Sequence, residues 1–273
     1  GEPARMLTGA EAQALEPVVN FHRATQVASS PRDGAIDPVL VSKVLVAAAI
    51  QQGAQALERC EVLGVDDASD QKGKLLRTSC GPIEADRVVL ATGPDPVAVK
   101  RFGGFDLPQR STPGVIVVTR PVKPLLRGIL VAPGIHIHQR MDGRLVIGEQ
   151  EGAPDTAAHA TRLADRPTRF PDDSVADQHA QRLLATTRDY LPSIGEVEID
   201  EVLIGWRPLP VDGHPVIGPS PADDRVYVAI MHSGVSLAAI TGDLVARELA
   251  DGVEMAVLQP FRANRVFDTK NRY

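Results

Sequence analysis

Residues 205–218 read G-W-R-P-L-P-V-D-G-H-P-V-I-G, residues 225–230 read R-V-Y-V-A-I, and residues 231–238 read M-H-S-G-V-S-L-A. The spacing predicts an apolar strand, a turn at Asp212-Gly213, a second strand at 225–230, and a closing helix over 237–250 that stops at Asp251-Gly252. A strand that passes through a glycine into a helix start aims backbone N–H groups and a positive dipole end at a bound anion or electron-rich ring. Arg207 falls between the apolar strand and Pro208, where a guanidinium would be held rigidly over a cleft. Arginine is the side chain suited to gripping a carboxylate with two parallel hydrogen bonds. The competing reading pairs Arg207 with Asp212 or another acid. His214 beside the turn is read as structural or solvated.

The preceding chain divides in character. Thr8 with Glu11 three residues on is a capping box for a short helix within 6–19, which Pro17 ends. Asp37 and Pro38 open a helix over 39–52 that ends at Gly53. Strands are expected at 61–65 and 74–78, and at 87–93, where R-V-V-L-A-T-G reads as a strand buried on both faces and ended by small residues. From 114 to 148 the β-branched runs 114–119, 128–132, 134–138 and 144–148, with Met141-Asp142-Gly143 as a hairpin turn, predict an antiparallel sheet and a change of domain. A long surface loop over 149–173 and a helix over 177–190 follow. The segments sum to a mixed α/β chain.

With 273 residues, 43% apolar content and a formal charge of −6, the chain is long enough for one or two cores. Interspersed charges and 4% aromatic residues argue against a nucleic-acid surface. No stretch reaches the roughly 18 apolar residues of a membrane span, and the N-terminus lacks a targeting pattern, so a cytoplasmic location is expected. Cys60 and Cys80 lie on neighbouring strands and would pair only if their Cα atoms approach closely; free, buried thiols are the expectation. His136 and His138 alternate on one strand and share a face, too few ligands for a metal, so none is expected.

In order and spacing, 205–218, 231–238, the A-T-G of 91–93 and the G-A-Q-A-L-E-R-C-E-V of 53–62 resemble the FAD-dependent amine and amino-acid oxidoreductases, the superfamily of D-amino-acid oxidase, glycine oxidase and sarcosine oxidase. The resemblance implies a three-layer FAD/NAD(P)-binding-type domain built from 33–100 and 201–252, an inserted antiparallel-sheet substrate domain from 1–32 and 101–200, and a C-terminal tail, 253–273. It implies FAD contacts at Val62, Ala91, Thr92, Gly93, Gly205, His232, Ser233, Gly234, Val235, Ser236 and Leu237, mostly through backbone N–H groups and helix dipole rather than a catalytic base. It makes Arg207 the anchor of the substrate carboxylate and sets His136 and His138 at the substrate pocket. The neighbours of Arg207, Trp206 and Pro208, exclude a cysteine-tethered flavin by the route some relatives use, so the FAD is expected to be non-covalent. The family's opening G-x-G-x-x-G, the pyrophosphate grip, is not in this sequence. The implied activity is oxidation of a small amine or amino acid. The alternative is a partner-dependent or non-catalytic subunit, served by a separate chain that supplies the nucleotide-binding segment.

Overall fold

The structure, a computed structural model, describes residues 4–21, 26–69, 72–149, 167–170 and 172–268. In chain order the elements are β1 (Arg5–Leu7), α1 (Gly9–Leu15), β2 (Val27–Ser29), α2 (Pro38–Gln51), β3 (Val62–Asp67), β4 (Lys74–Thr78), β5 (Gly81–Ala85), β6 (Val88–Leu90) and α3 (Pro96–Gly103). They continue with β7 (Gln109–Thr119), β8 (Leu130–Ala132), β9 (Ile135–Gln139), β10 (Leu145–Glu149), α4 (Asp173–Tyr190), β11 (Ile199–Pro210), β12 (Val216–Pro219), β13 (Val226–Ile230) and α5 (Ala238–Ala246). The chain forms two compact units, residues 1–36 with 113–206 and residues 37–112 with 207–273.

The first unit is organised by an antiparallel sheet in the order β11-β7-β10-β9-β8. Ile135 and Ile137 of β9, Leu145 and Ile147 of β10, and Val115 and Val117 of β7 are fully buried with Ala180, Leu183 and Leu184 of α4. β10 is buried along its whole length, as a strand in mid-sheet under a helix must be. α4 starts at Asp173, four residues before its expected start, because the Asp172 carboxylate accepts the Ser174 N–H at 2.8 Å and so closes the first turn earlier. Most of the expected 149–173 loop lies outside the described residues. Replacing Ile147 by valine removes one methyl from this core, and denaturant unfolding should report a loss of about 0.5–1.5 kcal/mol.

In the second unit, β13 pairs in parallel with β6 and antiparallel with β12, giving the order β12-β13-β6. Val226, Val228 and Ile230 of β13 join a core with Val88, Leu90 and Val99, against which Val65 and Leu76 of the β3-β4-β5 meander pack. The alternate residue Tyr227 turns to a second cluster with Ile217, Met231, Leu244 and Val245. The central sheet therefore lies between the meander and α5, a consequence of the two-residue period of β13. β5, G-P-I-E-A, carries no strand signal in its sequence; its proline is tolerated because β5 pairs only with β4 and stands at the edge. The paired β1 and β2, three residues each, are too short to show a period.

Two further features depart from a simple reading. Residues 256–265, expected to be tail, form a 3-10 turn, Ala256–Phe261, and Arg265 then grips Asp212 with Nε at 2.8 Å from Oδ2 and Nη2 at 3.0 Å from Oδ1. α2 is apolar on nearly every side, is capped by the Asp37 carboxylate through the Val39 and Leu40 N–H groups, and buries none of its residues; Leu40 is 60% exposed. A helix hydrophobic all round belongs in a covered environment.

Candidate functional site

The site is assembled in the second unit from the ends of β6, β11 and β13. β6 ends at Leu90, and the chain turns through Ala91, Thr92 and Gly93. Gly93 has φ 58°, the left-handed region where a Cβ is strained, and open space surrounds the position that a Cβ would take. Thr92 Oγ1 donates to the Asp95 carbonyl at 3.3 Å, and the Asp95 carboxylate caps α3 through the Val97 and Ala98 N–H groups. The A-T-G turn is thus tied to a helix start rather than left as a loose loop.

Gln109 enters the site without any signal in the sequence. Its Nε2 donates to the Gly93 carbonyl at 3.1 Å, while its Oε1 is buried with no hydrogen-bond partner in the structure. A buried acceptor without a donor costs about 1–3 kcal/mol, a penalty that a ligand donor would remove. The two residues are 16 positions apart, so only the tertiary contact identifies Gln109.

From β13 the chain passes through Met231 and turns over residues 232–237 before α5 begins. Ser233 makes the reversal with φ 60°, uncommon for a residue with a Cβ, and its Oγ lies 2.8 Å from His232 Nδ1. Gly234, Val235 and Ser236 are exposed ahead of the helix, where the first N–H groups lack intrahelical partners. The expected helix start at 237 differs from the observed start at 238 by one residue.

Arg207 and His232 are brought close enough to interact. Burial, and then the Arg207 charge, push His232 below its ordinary pKa, so the imidazole is neutral at neutral pH. Burial also lowers the pKa of Arg207. The ion pair weighed for Asp212 goes instead to Arg265. Burial would raise the Asp212 carboxyl, but the Arg265 guanidinium and the His214 N–H outweigh it and hold it down. Val62 opens β3, whose next residue, Leu63, has its carbonyl bonded by Arg101 Nη2 at 2.6 Å.

In the first unit, Gly205 lies on β11, and His136 and His138 project from β9 on the face opposite Ile135 and Ile137. The His136 ring lies across Gly148, where a Cβ would collide with it. Burial, then the charge of Arg140 and of His136, lowers the pKa of His138. Among the described residues, no group of three His, Cys, Asp or Glu side chains is placed to hold a metal, and no helix is long and apolar enough to cross a membrane.

Residues 1–248 match the family model described as DAO, FAD dependent oxidoreductase. The chain is 30% identical over 269 residues to a glycine oxidase of Geobacillus kaustophilus, covering 97% of this chain and 67% of that one. The crystal structure of glycine oxidase from that organism superposes with a TM-score of 0.81 at 30% identity over 98% of this chain and 68% of its own. The bifunctional protein ThiO/ThiG of Synechocystis sp. is 28% identical over 88% of this chain and 34% of its own length. The chain thus spans between about a third and two thirds of these relatives.

Proposed function

We propose, from the premise that the chain belongs to the DAO family of FAD-dependent oxidoreductases, that it is the catalytic part of an enzyme oxidising a small amine or amino acid. The observation that carries this reading is Arg207, a half-buried cation beside a neutral imidazole and next to the turn that opens α5. The residues present fit FAD: the orphaned Gln109 Oε1, the open space at Gly93 and the exposed backbone of 234–236 all offer polar or unfilled positions to one ligand. When bound, FAD supplies a two-electron acceptor that takes a hydride from the carbon bearing the amine.

The protein's own part is binding and electrostatics. Arg207 holds the substrate carboxylate with two parallel charge-assisted bonds, fixing the reacting carbon. Backbone N–H groups of 233–236 and the α5 dipole stabilise negative charge on the ring, Val62 and the 91–93 turn hold the nucleotide side, and Gly205 lies two residues before Arg207. His232, kept neutral, adds no competing positive charge next to Arg207. His136 and His138, pocket residues by the family resemblance, share one polar face of β9. The resulting imine hydrolyses in water to a carbonyl compound and ammonia or an amine.

A second reading, a partner-dependent subunit, is favoured by one observation. α2 is apolar and uncovered, and β6 stands at the end of its sheet with its outer edge free of strand partners among the described residues. The occupant that fits is a strand–glycine turn–helix segment: its strand extends the parallel sheet at β6, and its apolar helix face covers α2. The test is the visible spectrum of the purified chain with FAD, alone and with that segment added or fused, followed by a panel of small amino acids. A bound flavin that bleaches with an amino acid supports the enzyme. Flavin bound only with the segment supports the dependent subunit, and no bound flavin in either state overturns both readings.

A further inference from the structure

The thiols of Cys60 and Cys80 are free, and the burial expected for them holds only in part: Cys60 is half-buried and Cys80 is exposed. Their placement follows from the ladder register. Val62 lies opposite Thr78; one step out, Ser79 N donates to the Glu61 carbonyl at 2.9 Å while Glu61 N donates to Ser79 Oγ at 2.9 Å. One residue further on each side, Cys60 precedes β3 and Cys80 lies in the two-residue turn between β4 and β5.

The surrounding groups hold the two sulfurs together. The Cys60 thiol donates to Thr78 Oγ1 at 3.3 Å, and the same oxygen accepts the Cys80 N–H at 3.1 Å. One hydroxyl oxygen thus touches both cysteines, Cys60 through its thiol and Cys80 through its backbone, which keeps them neighbours at this end of the meander.

We propose that Cys60 and Cys80 are a modification site, forming a reversible cross-strand disulfide when the protein meets a peroxide. The neighbouring Cys80, then the Thr78 hydroxyl, lowers the Cys60 pKa, which makes Cys60 the attacking thiolate. Cys60 sulfur attacks one oxygen of hydrogen peroxide, the O–O bond breaks, and Cys60 becomes a sulfenic acid while hydroxide leaves. Hydroxide takes up the proton lost by Cys60. Cys80 sulfur then attacks the Cys60 sulfur, the S–O bond breaks, and the departing hydroxide takes the Cys80 proton. Two thiols and one peroxide give one disulfide and two waters, the sulfurs oxidised and the peroxide reduced. The bridge pins the start of β3 to the β4–β5 turn, next to Arg59, whose φ of 56° already sets a tight reversal there.

The experiment treats the full chain with a small excess of hydrogen peroxide, blocks remaining thiols with N-ethylmaleimide under denaturing conditions, and measures the intact mass. The expected product has lost two hydrogens, carries no maleimide, yields one peptide linking residues 60 and 80, and regains two reactive thiols with dithiothreitol. In Cys80→Ser the sulfenic acid stays on Cys60 and is trapped by dimedone; in Cys60→Ser thiol oxidation is slower by about tenfold. Two maleimide adducts after peroxide, separate over-oxidised cysteines, or a bridge between two chains would each overturn the proposal.

Discussion

Arg207→Ala is expected to lower kcat/KM for an amino-acid substrate by about 10²–10³-fold in the flavin-loaded protein. Two charge-assisted hydrogen bonds from a guanidinium to a carboxylate are together worth about 3–4 kcal/mol, and each 1.4 kcal/mol is a factor of about ten. The loss is specific to the carboxylate. An amine of the same size without one loses nothing of this kind, so the ratio of the two substrates' kcat/KM collapses in the variant. Arg207→Lys recovers part of the charge but not the fork, and is expected between the two. An equal loss on both substrates would show that Arg207 supports the fold of β11 rather than gripping the substrate.

The second large effect is on stability, at Glu248. Its carboxylate accepts from Arg262 Nη1 at 2.8 Å and Nη2 at 2.5 Å, from the Tyr227 hydroxyl at 2.5 Å and from the Met255 N–H at 2.7 Å. Both ionic side chains are nearly withdrawn from water, at 8% for Glu248 and 11% for Arg262. Burial by itself would raise the Glu248 carboxyl, but Arg262, then Tyr227 and the Met255 N–H, outweigh it and bring it to about 2, below its ordinary 4.5. Burial, then Glu248, raises the Tyr227 hydroxyl beyond the ordinary range.

Glu248→Ala leaves the Arg262 cation buried and unpaired, and costs about 3–5 kcal/mol of unfolding free energy. The pH dependence carries the sign of a depressed carboxyl. Folding favours the ionised form, so the contribution is complete above about 4.5 and disappears as the pH falls towards about 2. At about 1.4 kcal/mol per pH unit, the span corresponds to about 3 kcal/mol. Denaturant titrations of the parent and Glu248→Gln between about pH 7 and pH 3 should show the gap between them closing on the acid side. A gap that stays constant over that range would contradict the assignment.

What the sequence by itself determined were the features written in neighbouring residues. The Thr8–Glu11 capping box, the Asp37 cap with Pro38, the turn at Asp212-Gly213 and the left-handed glycine that ends the helical run at Gly252 each depend on hydrogen bonds and dihedral preferences within a few positions. The same local grammar carried the apolar β6 and the order of motifs that the family match bears out. The tertiary structure decided everything that depends on long separations. Asp212 takes Arg265, 53 residues away, in preference to Arg207; Gln109 finds Gly93; Cys60 and Cys80 share the Thr78 hydroxyl; and α2, whose composition suits burial, lies uncovered. Local propensities act over a turn or a strand pair, whereas a side chain's partner is set by which distant surfaces the packing brings together. No pattern of neighbours contains that choice.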